Sequence, residues 1–427
     1  MKILLINTTD NSGGAAIAAT RLRNALQNMG EKARMLVARK RGDDMGTFDI
    51  SQPLNYKWQF MRERLGILLH ERGSCLHLWD IDPATCGVDI TKMSLFKEAD
   101  VIHLHWVNQG FLSLKILEKI LNSGKPIVWT MHDSWPFTGL CHSPIECRGY
   151  EQQCGNCPIL ASRGDNDWSR RLWLRKQQLW GNGRGKSKLA FVACSQWLAE
   201  SARRSSLLSG HTVIDIPNPI DNRLFAPRDK GEARRSLGLP EEMRLILFSA
   251  FNVNAPIKGL HFLREACNYM VGEDSSLRER FGIICAGKEA ETLTADASNP
   301  WPVEVFPMGY VTDPKRMATI YNAADVFCIP SLQENLPNTI AEAKTSGVSV
   351  VGFRVGGIPQ MIDHMNDGYL AEPEDAADLA KGLHWALWEA DSRALAELNR
   401  TNAVAQYSET RVAERYLKLY ASLKNEE

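Results

Sequence analysis

The stretch "DVFCIPSLQENLPNTIAEAKTSGVSVVGF" (325–353) contains two short apolar runs separated by a segment long enough for a helix. The runs 325–331 and 348–353 are rich in β-branched and aromatic residues, which favour strands. Pro337 is typical of a first helical turn, so a helix is predicted to begin near residue 336. Two strands joined by a helix run parallel in one sheet. The stretch therefore predicts an α/β fold.

The same alternation extends on both sides of this stretch. After the run "KILLIN" (2–7), the segment "AAIAATRLRNALQNMG" (15–30) predicts a helix whose apolar face includes Leu22 and Met29 and which stops at Gly30. Strands alternating with helices predict two doubly wound, Rossmann-like domains in tandem, with an interdomain cleft at the carboxyl ends of their strands. The further predicted strands are 33–38, 100–105, 126–132, 190–195, 212–218, 244–250, 281–287 and 303–309.

A polar run with three prolines, 216–239, interrupts the alternation and predicts the linker between the two domains. We therefore expect an N-terminal domain over 1–217 and a C-terminal domain over 218–405. A C-terminal helix is expected over 406–427. A chain of 427 residues has a suitable length for two such domains.

Composition narrows the class of protein. Lys plus Arg and Asp plus Glu both number 50, and this balance argues against nucleic-acid binding. No apolar run reaches the roughly eighteen residues of a transmembrane helix, and the first run is too short for a secretory signal. We therefore expect a cytoplasmic protein, whose ten cysteines are reduced thiols or metal ligands rather than disulfides.

The loop after the first predicted strand, "TTDNSGGAA" (8–16), has the composition of a phosphate site. Gly13 and Gly14 let the backbone approach a ligand closely, and the following helix offers free N–H groups. The spacing G-x-G-x-x-G of dinucleotide-binding loops is absent. An ordinary glycine turn between a strand and a helix is the alternative.

Two further segments place polar groups at strand ends. His132 and Asp133 lie at the end of the strand predicted over 126–132, where active-site groups of α/β folds collect. An imidazole there can hydrogen-bond a sugar hydroxyl or shield developing charge; a loop histidine bonded to backbone groups is the alternative. Lys258 precedes Gly259 at a predicted helix start, so its ammonium group and the helix dipole could meet at one phosphate.

The opening stretch itself places one carboxylate on each side of a helix start. Glu334 lies in the loop, and Glu342 lies in the second turn of the helix. Carboxylates accept hydrogen bonds from vicinal hydroxyls, while the N–H groups near Asn335 and Leu336 suit a diphosphate. This order matches a sugar, a pyrophosphate and a ribose. Two surface glutamates at this spacing by chance are the alternative.

The stretch 324–375 resembles the donor-binding half of the retaining glycosyltransferases of family 4, which have the GT-B fold. Their E-x7-E signature falls on Glu334 and Glu342. The similarity extends over nearly the whole chain, through "SGGAA" (12–16), "HD" (132–133), "IPNPID" (216–221) and "KGL" (258–260).

The resemblance implies a role for each matching residue. Glu342 is expected to hold the ribose hydroxyls and Glu334 to face the donor sugar. His132 is expected to contact the sugar near the reacting carbon. The resemblance assigns the diphosphate to Lys258, Gly13 and Gly14.

For the protein as a whole, the resemblance implies a hexosyltransferase (EC 2.4) that moves a sugar from a UDP- or GDP-linked donor to a hydroxyl of a glycan, free or lipid-linked. It implies that the anomeric carbon keeps its configuration and that the reaction needs neither a metal nor a protein nucleophile. If a side chain does take part in the reaction, Asp133 and Glu334 are the candidate groups near the sugar. It also implies bacterial surface polysaccharide synthesis (capsule, exopolysaccharide or lipopolysaccharide), and a C-terminal helix packed back on the N-terminal domain. A nucleotide-sugar epimerase or phosphorylase, and a non-catalytic nucleotide-sugar-binding partner in an assembly complex, stay open as alternatives.

One position departs from the family pattern. Many relatives carry an arginine a few residues before the lysine, whereas this chain has Asn252 and Asn254 there. Arg354 or backbone N–H groups are predicted to meet the remaining charge of the diphosphate.

The segment 139–160 is rich in cysteine and predicts an insertion in the N-terminal domain. Four thiols that include a C-x2-C knuckle predict a structural zinc site; reduced thiols packed in a loop, or a redox pair, are the alternatives. The expected ligands are Cys141, Cys147, Cys154 and Cys157. A D-x-D motif, Asp80 and Asp82, is similar to the metal motif of a different glycosyltransferase fold, but the tandem pattern argues against that fold.

The segment 169–188 holds seven Lys or Arg residues and no acid, with Trp173 and Trp180 among them. A solvated helix face is one interpretation. The other is contact with an anionic membrane surface or a pyrophosphate-linked acceptor, because basic residues and tryptophan suit the headgroup layer. That interpretation makes the protein peripheral on the inner face of the cytoplasmic membrane.

Overall fold

The computed structural model describes residues 1–50, 53–144, 146–181, 186–294 and 300–425. The chain divides into two compact units: unit 1 comprises Met1–Asn218 and Val412–Glu427, and unit 2 comprises Pro219–Arg411. Three predicted segments extend outside the described residues, at position 145 of the cysteine-rich insertion, positions 182–185 of the basic segment and positions 426–427 of the C-terminal helix.

The described strands of unit 1 form one parallel sheet. They are β1 (Lys2–Thr9), β2 (Lys32–Arg39), β3 (Thr47–Asp49), β4 (Val101–Leu104), β5 (Ile127–Met131), β6 (Leu189–Ala193) and β7 (Thr212–Asp215). Their order is β3-β2-β1-β4-β5-β6-β7, and every pairing is parallel. Ile3 and Leu5 lie in one hydrophobic cluster while Leu4 and Ile6 lie in another. Because alternate residues point to opposite faces, the sheet is buried on both sides.

Helices connect these strands. They are α1 (Gly14–Asn28), α2 (Pro53–His70), α3 (Ser94–Glu98), α4 (Leu114–Leu121), α5 (Gly149–Gln152), α6 (Trp168–Leu179) and α7 (Gln196–Arg204), with a 3₁₀ turn over Trp135–Phe137. Within the described residues, no helix combines the length and apolar character needed to cross a membrane.

Unit 2 repeats the arrangement with six described strands. They are β8 (Arg244–Asn252), β9 (Phe281–Lys288), β10 (Glu304–Gly309), β11 (Val326–Ile329), β12 (Ser349–Phe353) and β13 (Gly368–Ala371), in the order β10-β9-β8-β11-β12-β13 and all parallel. The α-helices are α8 (Lys230–Leu237), α9 (Leu260–Glu273), α10 (Pro314–Ala323), α11 (Asn338–Thr345), α12 (Ala376–His384) and α13 (Ser392–Tyr407). Shorter helical turns cover Pro256–Lys258, Ser275–Glu279, Ala290–Thr294, Ile358–Gln360 and Trp385–Glu389.

A last helix, α14 (Glu409–Asn425), belongs to unit 1 from Val412 onward. Its Tyr416 and Tyr420 are buried in the same cluster as Ile3 and Leu5. Tyr416 Oη lies 2.8 Å from Thr130 Oγ1, and Tyr420 Oη lies 2.7 Å from His103 Nδ1. The helix therefore completes one face of the first sheet.

This architecture confirms the predicted α/β class with two doubly wound domains. The short strands β3 and β13 were not predicted, because β3 has three residues with two exposed and β13 begins with a glycine. Met29 is 37% exposed rather than buried on the face of α1. Helix α11 begins two residues later than predicted, because Pro337 has extended backbone angles and acts as its N-cap.

Candidate functional site

Each sheet reverses its strand order at one point, between β1 and β4 in unit 1 and between β8 and β11 in unit 2. Doubly wound sheets bind ligands beside this point, at the carboxyl ends of the strands. Gly13 follows β1, Lys258 follows β8 and Glu334 follows β11, so these three lie at the reversal points. His132 follows β5, one strand further along the first sheet, also at a carboxyl end. The fold therefore places each of them where its own sheet is suited to bind a ligand.

In unit 2, the loops after β8 and β11 contact each other through their backbones. Leu332 N–H donates to the carbonyl of Ile257 at 2.9 Å. Gly259 has a φ of +71°, and a Cβ there would lie 1.8 Å from the carbonyl oxygen of Pro330. Only glycine permits both the backbone conformation and this approach. The contact fixes Lys258, one residue earlier, beside the loop that carries Glu334.

Lys258 and Glu334 form an ion pair. Lys258 Nζ donates to Glu334 Oε1 at 2.6 Å, and both side chains remain partly open to solvent. The structure thus brings these two predicted residues together. An anionic ligand can compete for the ammonium group, and a hydroxyl can compete for the carboxylate.

The backbone of Glu334 is supported by the loop after β12. Gly357 N–H donates to the Glu334 carbonyl at 3.1 Å. Gly356 has a φ of +53°, and a Cβ there would lie 1.9 Å from that same oxygen. These two glycines were not predicted as site residues; the adjacent pair in "FRVGG" was the signal that could have found them.

Glu342 lies in the second turn of α11 and is buried. Tyr321 Oη donates to its Oε2 at 3.1 Å. The side chain of Leu336 is also buried, so a ligand could meet this residue only through its backbone. Because α11 begins at Asn338, the N–H groups of the helix start lie beyond the predicted positions Asn335 and Leu336.

In unit 1, Gly13 is the N-cap of α1, with φ +88° and ψ +163°. This conformation lies in a region that is essentially reserved for glycine. A Cβ there would meet no atom within 4 Å, so the space next to the loop is open. Gly14 is the first residue of α1. The geometry suits an anion at the helix start.

His132 is half-buried and lies in a row with the buried imidazoles of His103 and His105. Its Nε2 is 3.0 Å from His105 Nδ1, and its Nδ1 is 3.5 Å from Cys194 Sγ. Burial lowers the pKa of His132 to about 4, although the charge of Asp133 opposes the shift. The ring is therefore neutral near pH 7 and both nitrogens lie near protein partners. It is suited to polar contact rather than to carrying a positive charge.

Asp133 receives three hydrogen bonds. Trp106 Nε1 and Trp135 N–H donate to it at 2.7 and 2.9 Å, and His142 Nδ1 lies 2.7 Å from its Oδ2. Burial opposes ionisation, but His142 and these donors prevail and lower the pKa of Asp133. The carboxylate is held in one orientation. Sequence reasoning missed Trp106, His105 and the pairing of His142; the histidines of "HLHW" at a strand end were the available signal.

The tryptophans of the basic segment are not available for the membrane contact considered above, while contact through its other cations stays a prediction. Trp173 and Trp180 are fully buried, so the expectation that they face a headgroup layer is wrong. Lys176 is buried too, and its Nζ donates to the carbonyls of Trp135 and Thr138 at 2.5 and 3.1 Å. Helix α6 therefore supports the loop that follows Asp133.

In the described ranges of the chain, the carboxylates of the D-x-D motif belong to no group of three or more His, Cys, Asp or Glu side chains that could hold a metal ion. Asp82 is buried, bonds Arg64 at 3.1 Å and accepts from the N–H of Ala84 and Gln109. Asp80 pairs with His77 at 2.9 Å on the surface. Both carboxylates have structural partners.

At the position of the missing arginine, Asn252 and Asn254 both donate to Glu289. This exposed cluster brings no positive charge to the carboxyl end of β8. Arg354 lies 3.4 Å from Glu372 Oε1, so the predicted substitute already has a carboxylate partner. The contribution of Arg354 to a diphosphate stays a prediction.

The cysteine-rich segment gathers its four thiols around one cavity. None of them is in a disulfide. Backbone N–H groups of Gly139 and Gly149 donate to two of the sulfurs, at 3.2 and 3.4 Å. Among the described residues, no three His, Cys, Asp or Glu side chains are grouped as a metal ion requires. The zinc site stays a prediction; its thiols are Cys141, Cys147, Cys154 and Cys157.

Sequence comparison finds glycosyltransferases that match part of the chain. The chain is 29% identical over 185 residues to D-inositol 3-phosphate glycosyltransferase of Geodermatophilus obscurus, covering 41% of this chain and 40% of that protein. The chain spans half or less of the length of the curated inositol-phosphate relatives that it matches first. It is 24% identical to WcaC of Escherichia coli K12, over 76% of both chains; the name of WcaC places it in colanic acid biosynthesis as a glycosyl transferase.

Solved structures match the whole chain at low identity. Sucrose-phosphate synthase of Thermosynechococcus elongatus has a TM-score of 0.66 at 18% identity, covering 99% of this chain and 98% of its own. Anabaena HepE, solved with UDP-glucose, has a TM-score of 0.61 at 15% identity, covering 99% of this chain and 100% of its own. These likenesses establish the fold as GT-B.

The family described as "Glycosyl transferases group 1" matches residues 243–388. The matched region runs from β8 through α12 and contains Lys258, Glu334 and Glu342. Residues 243–388 are therefore a group 1 glycosyl transferase domain, which is the domain class that the motifs of the sequence predicted, within a chain of GT-B fold.

Proposed function

We propose that the protein is a retaining glycosyltransferase that moves a hexosyl group from a nucleoside diphosphate to a hydroxyl of a glycan. The observation that carries the proposal is the ion pair of Lys258 and Glu334, 2.6 Å apart at the carboxyl ends of β8 and β11. The pair lies inside the group 1 glycosyl transferase domain, with Glu342 on the adjoining helix α11.

The chemistry follows from an exchange of partners at this ion pair. A bound diphosphate attracts the ammonium of Lys258, which then stabilises the charge of the departing phosphate. Glu334 is thereby released to accept hydrogen bonds from a hydroxyl of the donor sugar. Glu342 accepts from the ribose hydroxyls, while Tyr321 holds one of its oxygens in place.

In unit 1, the proposed roles are polar contact and orientation. His132, neutral near pH 7, offers a hydrogen bond to the sugar or the incoming hydroxyl after rearranging with His105. Asp133 keeps its carboxylate fixed through Trp106 and His142. Gly13 and Gly14 provide the helix start that suits a phosphate.

The substrate class is inferred from the relatives. WcaC is named for colanic acid biosynthesis and HepE was solved with UDP-glucose. These names favour a UDP-linked hexose as donor and a bacterial surface polysaccharide as product for this chain as well.

The first test is thermal unfolding in the presence of UDP, GDP and their sugars. A ligand at one hundred times its dissociation constant adds about 2.7 kcal/mol of stability. We expect one of the two nucleotides to stabilise the protein, and Glu342→Ala to abolish the effect. Glu397→Ala replaces an exposed glutamate on α13 and is the matched control, which should still be stabilised by the nucleotide. No stabilisation by either nucleotide would contradict the donor assignment.

The second test is turnover with the donor so identified. Lys258→Ala should lower kcat by about 10²–10³-fold, because it removes a charge that acts on the leaving group. The anomeric configuration of the product, read by NMR, should match that of the donor. Donor conversion without any acceptor would instead favour an epimerase or phosphorylase, and donor binding with no turnover would favour the binding-partner alternative.

A further inference from the structure

Helix α2 has one face fixed in the core of unit 1. Tyr56 and Ile67 are buried in its main hydrophobic cluster. Arg64 Nη2 lies 3.1 Å from the buried Asp82 Oδ2, and Glu63 Oε2 accepts from Thr85 N–H at 3.1 Å. These buried polar contacts determine which way the helix faces.

The opposite face is apolar and exposed. Its five large side chains recur every three or four residues, so they form one continuous stripe. Their exposed fractions run from 54% to 79%. Most proteins expose large apolar groups singly, and a contiguous patch of this kind marks an interaction surface. The stripe consists of Leu54, Trp58, Met61, Leu65 and Leu69.

The segment after α2 continues this surface. Leu76 is 78% exposed and Trp79 is 57% exposed. Together with the stripe on α2, these two residues define the apolar surface of residues 54–79. Trp79 also stacks near Phe60 of α2, with ring centroids 6.2 Å apart, so the two parts are joined.

The exposed charges of residues 54–79 all have one sign. Lys57, Arg62 and Arg72 are exposed, whereas Glu63 and Glu71 are buried. Glu71 is tied to the N–H of Ala161 at 2.8 Å. The surface therefore offers apolar groups and positive charge, with no exposed carboxylate between Leu54 and Trp79.

We propose that the apolar surface of residues 54–79 docks on an anionic lipid membrane, with α2 lying in the plane of the headgroups. Leucine, methionine and tryptophan enter the acyl boundary while the three cations meet lipid phosphates. A second copy of the chain is a poorer occupant, because two such faces bring like charges together. The proposal rests on residues 54–79 and stands whether or not the protein transfers sugars.

Co-sedimentation with vesicles tests the proposal. We expect the full chain to bind vesicles of phosphatidylglycerol mixed with phosphatidylcholine, more weakly as salt rises, and to bind phosphatidylcholine alone much less. Arg62→Gln should weaken binding about fivefold, since each cation near the surface contributes about 1 kcal/mol. Trp58→Glu should weaken it about tenfold or more. Both side chains are exposed, so neither change disturbs the core.

Matched controls come from exposed residues of unit 2. Arg393→Gln removes a charge that is 90% exposed on α13, and Tyr269→Ser removes an aromatic ring that is 52% exposed on α9. Both variants should bind vesicles as the unchanged protein does. If they lose binding to the same extent as Arg62→Gln and Trp58→Glu, the protein is attracted to vesicles through its whole surface. The assignment of the contact to residues 54–79 is then wrong.

A second readout uses Cys75, which is the only exposed cysteine in the part of the chain that the structure describes. A polarity-sensitive fluorophore on its thiol should shift to shorter wavelength when phosphatidylglycerol vesicles are added. Absence of binding to these vesicles at low salt would overturn the proposal. So would a concentration-dependent dimer that Trp58→Glu dissolves, because the surface would then be an interface between copies.

Discussion

Three histidines, His103, His105 and His132, lie in a row behind the loop that carries Asp133. Their ring centroids are 4.2 Å apart for the first pair and 5.3 Å for the second. Burial lowers the pKa of His103 to about 3 and that of His132 to about 4, and it also lowers the pKa of His105 well below its usual range. The folded protein therefore holds a neutral imidazole cluster.

This cluster predicts that the folded protein loses stability in acid. A histidine in the unfolded chain binds a proton near pH 6.5, whereas these histidines in the folded protein bind one only at much lower pH. The free energy of unfolding is therefore at its full value above pH 6.5 and falls as the pH drops towards about 4. Each such histidine should contribute a slope of about 1.4 kcal/mol per pH unit. Urea unfolding measured along this pH range should show the decline.

His105→Leu provides the specific check, because His105 Nε2 is buried without a hydrogen-bond partner. In this variant, the free energy of unfolding should fall less steeply with decreasing pH. His384→Leu, at a histidine exposed on the surface of unit 2, should keep the slope of the unchanged protein. An unaltered slope in His105→Leu would show that this imidazole titrates normally in the folded state.

At the residue scale, the positions of the charged residues of unit 2 are easier to read from the sequence than the polar network of unit 1. Lys258, Glu334 and Glu342 have fixed spacing to strand ends, and such spacing is visible in a sequence. His105 lies within a run that reads as a strand, and its partner His132 is 27 residues away. Contacts of that separation depend on strand order, which local patterns do not reveal.

Among the structural elements, the turn at Gly259 positions Lys258. Gly259→Ala would strain a positive φ and drive a Cβ against the carbonyl of Pro330. Gly238, the C-cap of α8, has a nearly identical φ of +69° and open space around its Cα. We expect Gly259→Ala to lower the free energy of unfolding more than Gly238→Ala does, by about 1–3 kcal/mol. Equal losses would show that only the backbone angle matters.

The cysteine-rich segment leads to a prediction about the zinc content of the purified protein. We expect purified protein to contain about one zinc ion per chain, since four thiols line one cavity. Elemental analysis measures this directly, and Cys154→Ser with Cys157→Ser should remove the metal and lower the unfolding temperature. Cys267→Ser, at a buried cysteine of unit 2, should leave the metal content unchanged. Zinc-free protein whose double variant unfolds at the original temperature would contradict the site.

Element prediction from the sequence succeeded for the long apolar strands and failed at two kinds of place. Strands β3 and β13 are too short to show a pattern, with three and four residues. The start of α11 was misplaced because proline is favoured both in the first turn and just before it, and only its backbone angles distinguish the two.

At the scale of the whole molecule, unit 1 consists of residues 1–218 and 412–427. This division predicts that fragments of the two units differ in their ability to fold alone. A fragment of residues 219–411 contains a complete sheet with its own core and should fold alone, with cooperative urea unfolding. A fragment of residues 1–218 lacks Tyr416 and Tyr420, so it should aggregate or stay partly unfolded. Addition of the peptide 409–425 should restore its structure, as circular dichroism would report. Cooperative folding of 1–218 alone would contradict this.

The same division has a consequence for synthesis in the cell. At about 5–20 residues per second, the ribosome needs roughly 10 to 40 s to translate unit 2 after it has completed residue 218. During that interval the face of the first sheet formed by Ile3, Leu5 and Val128 lacks its covering helix. Unit 2, although second in the sequence, can finish folding first. The nascent chain therefore carries an open apolar sheet for tens of seconds, and chaperones that bind such surfaces would find it there.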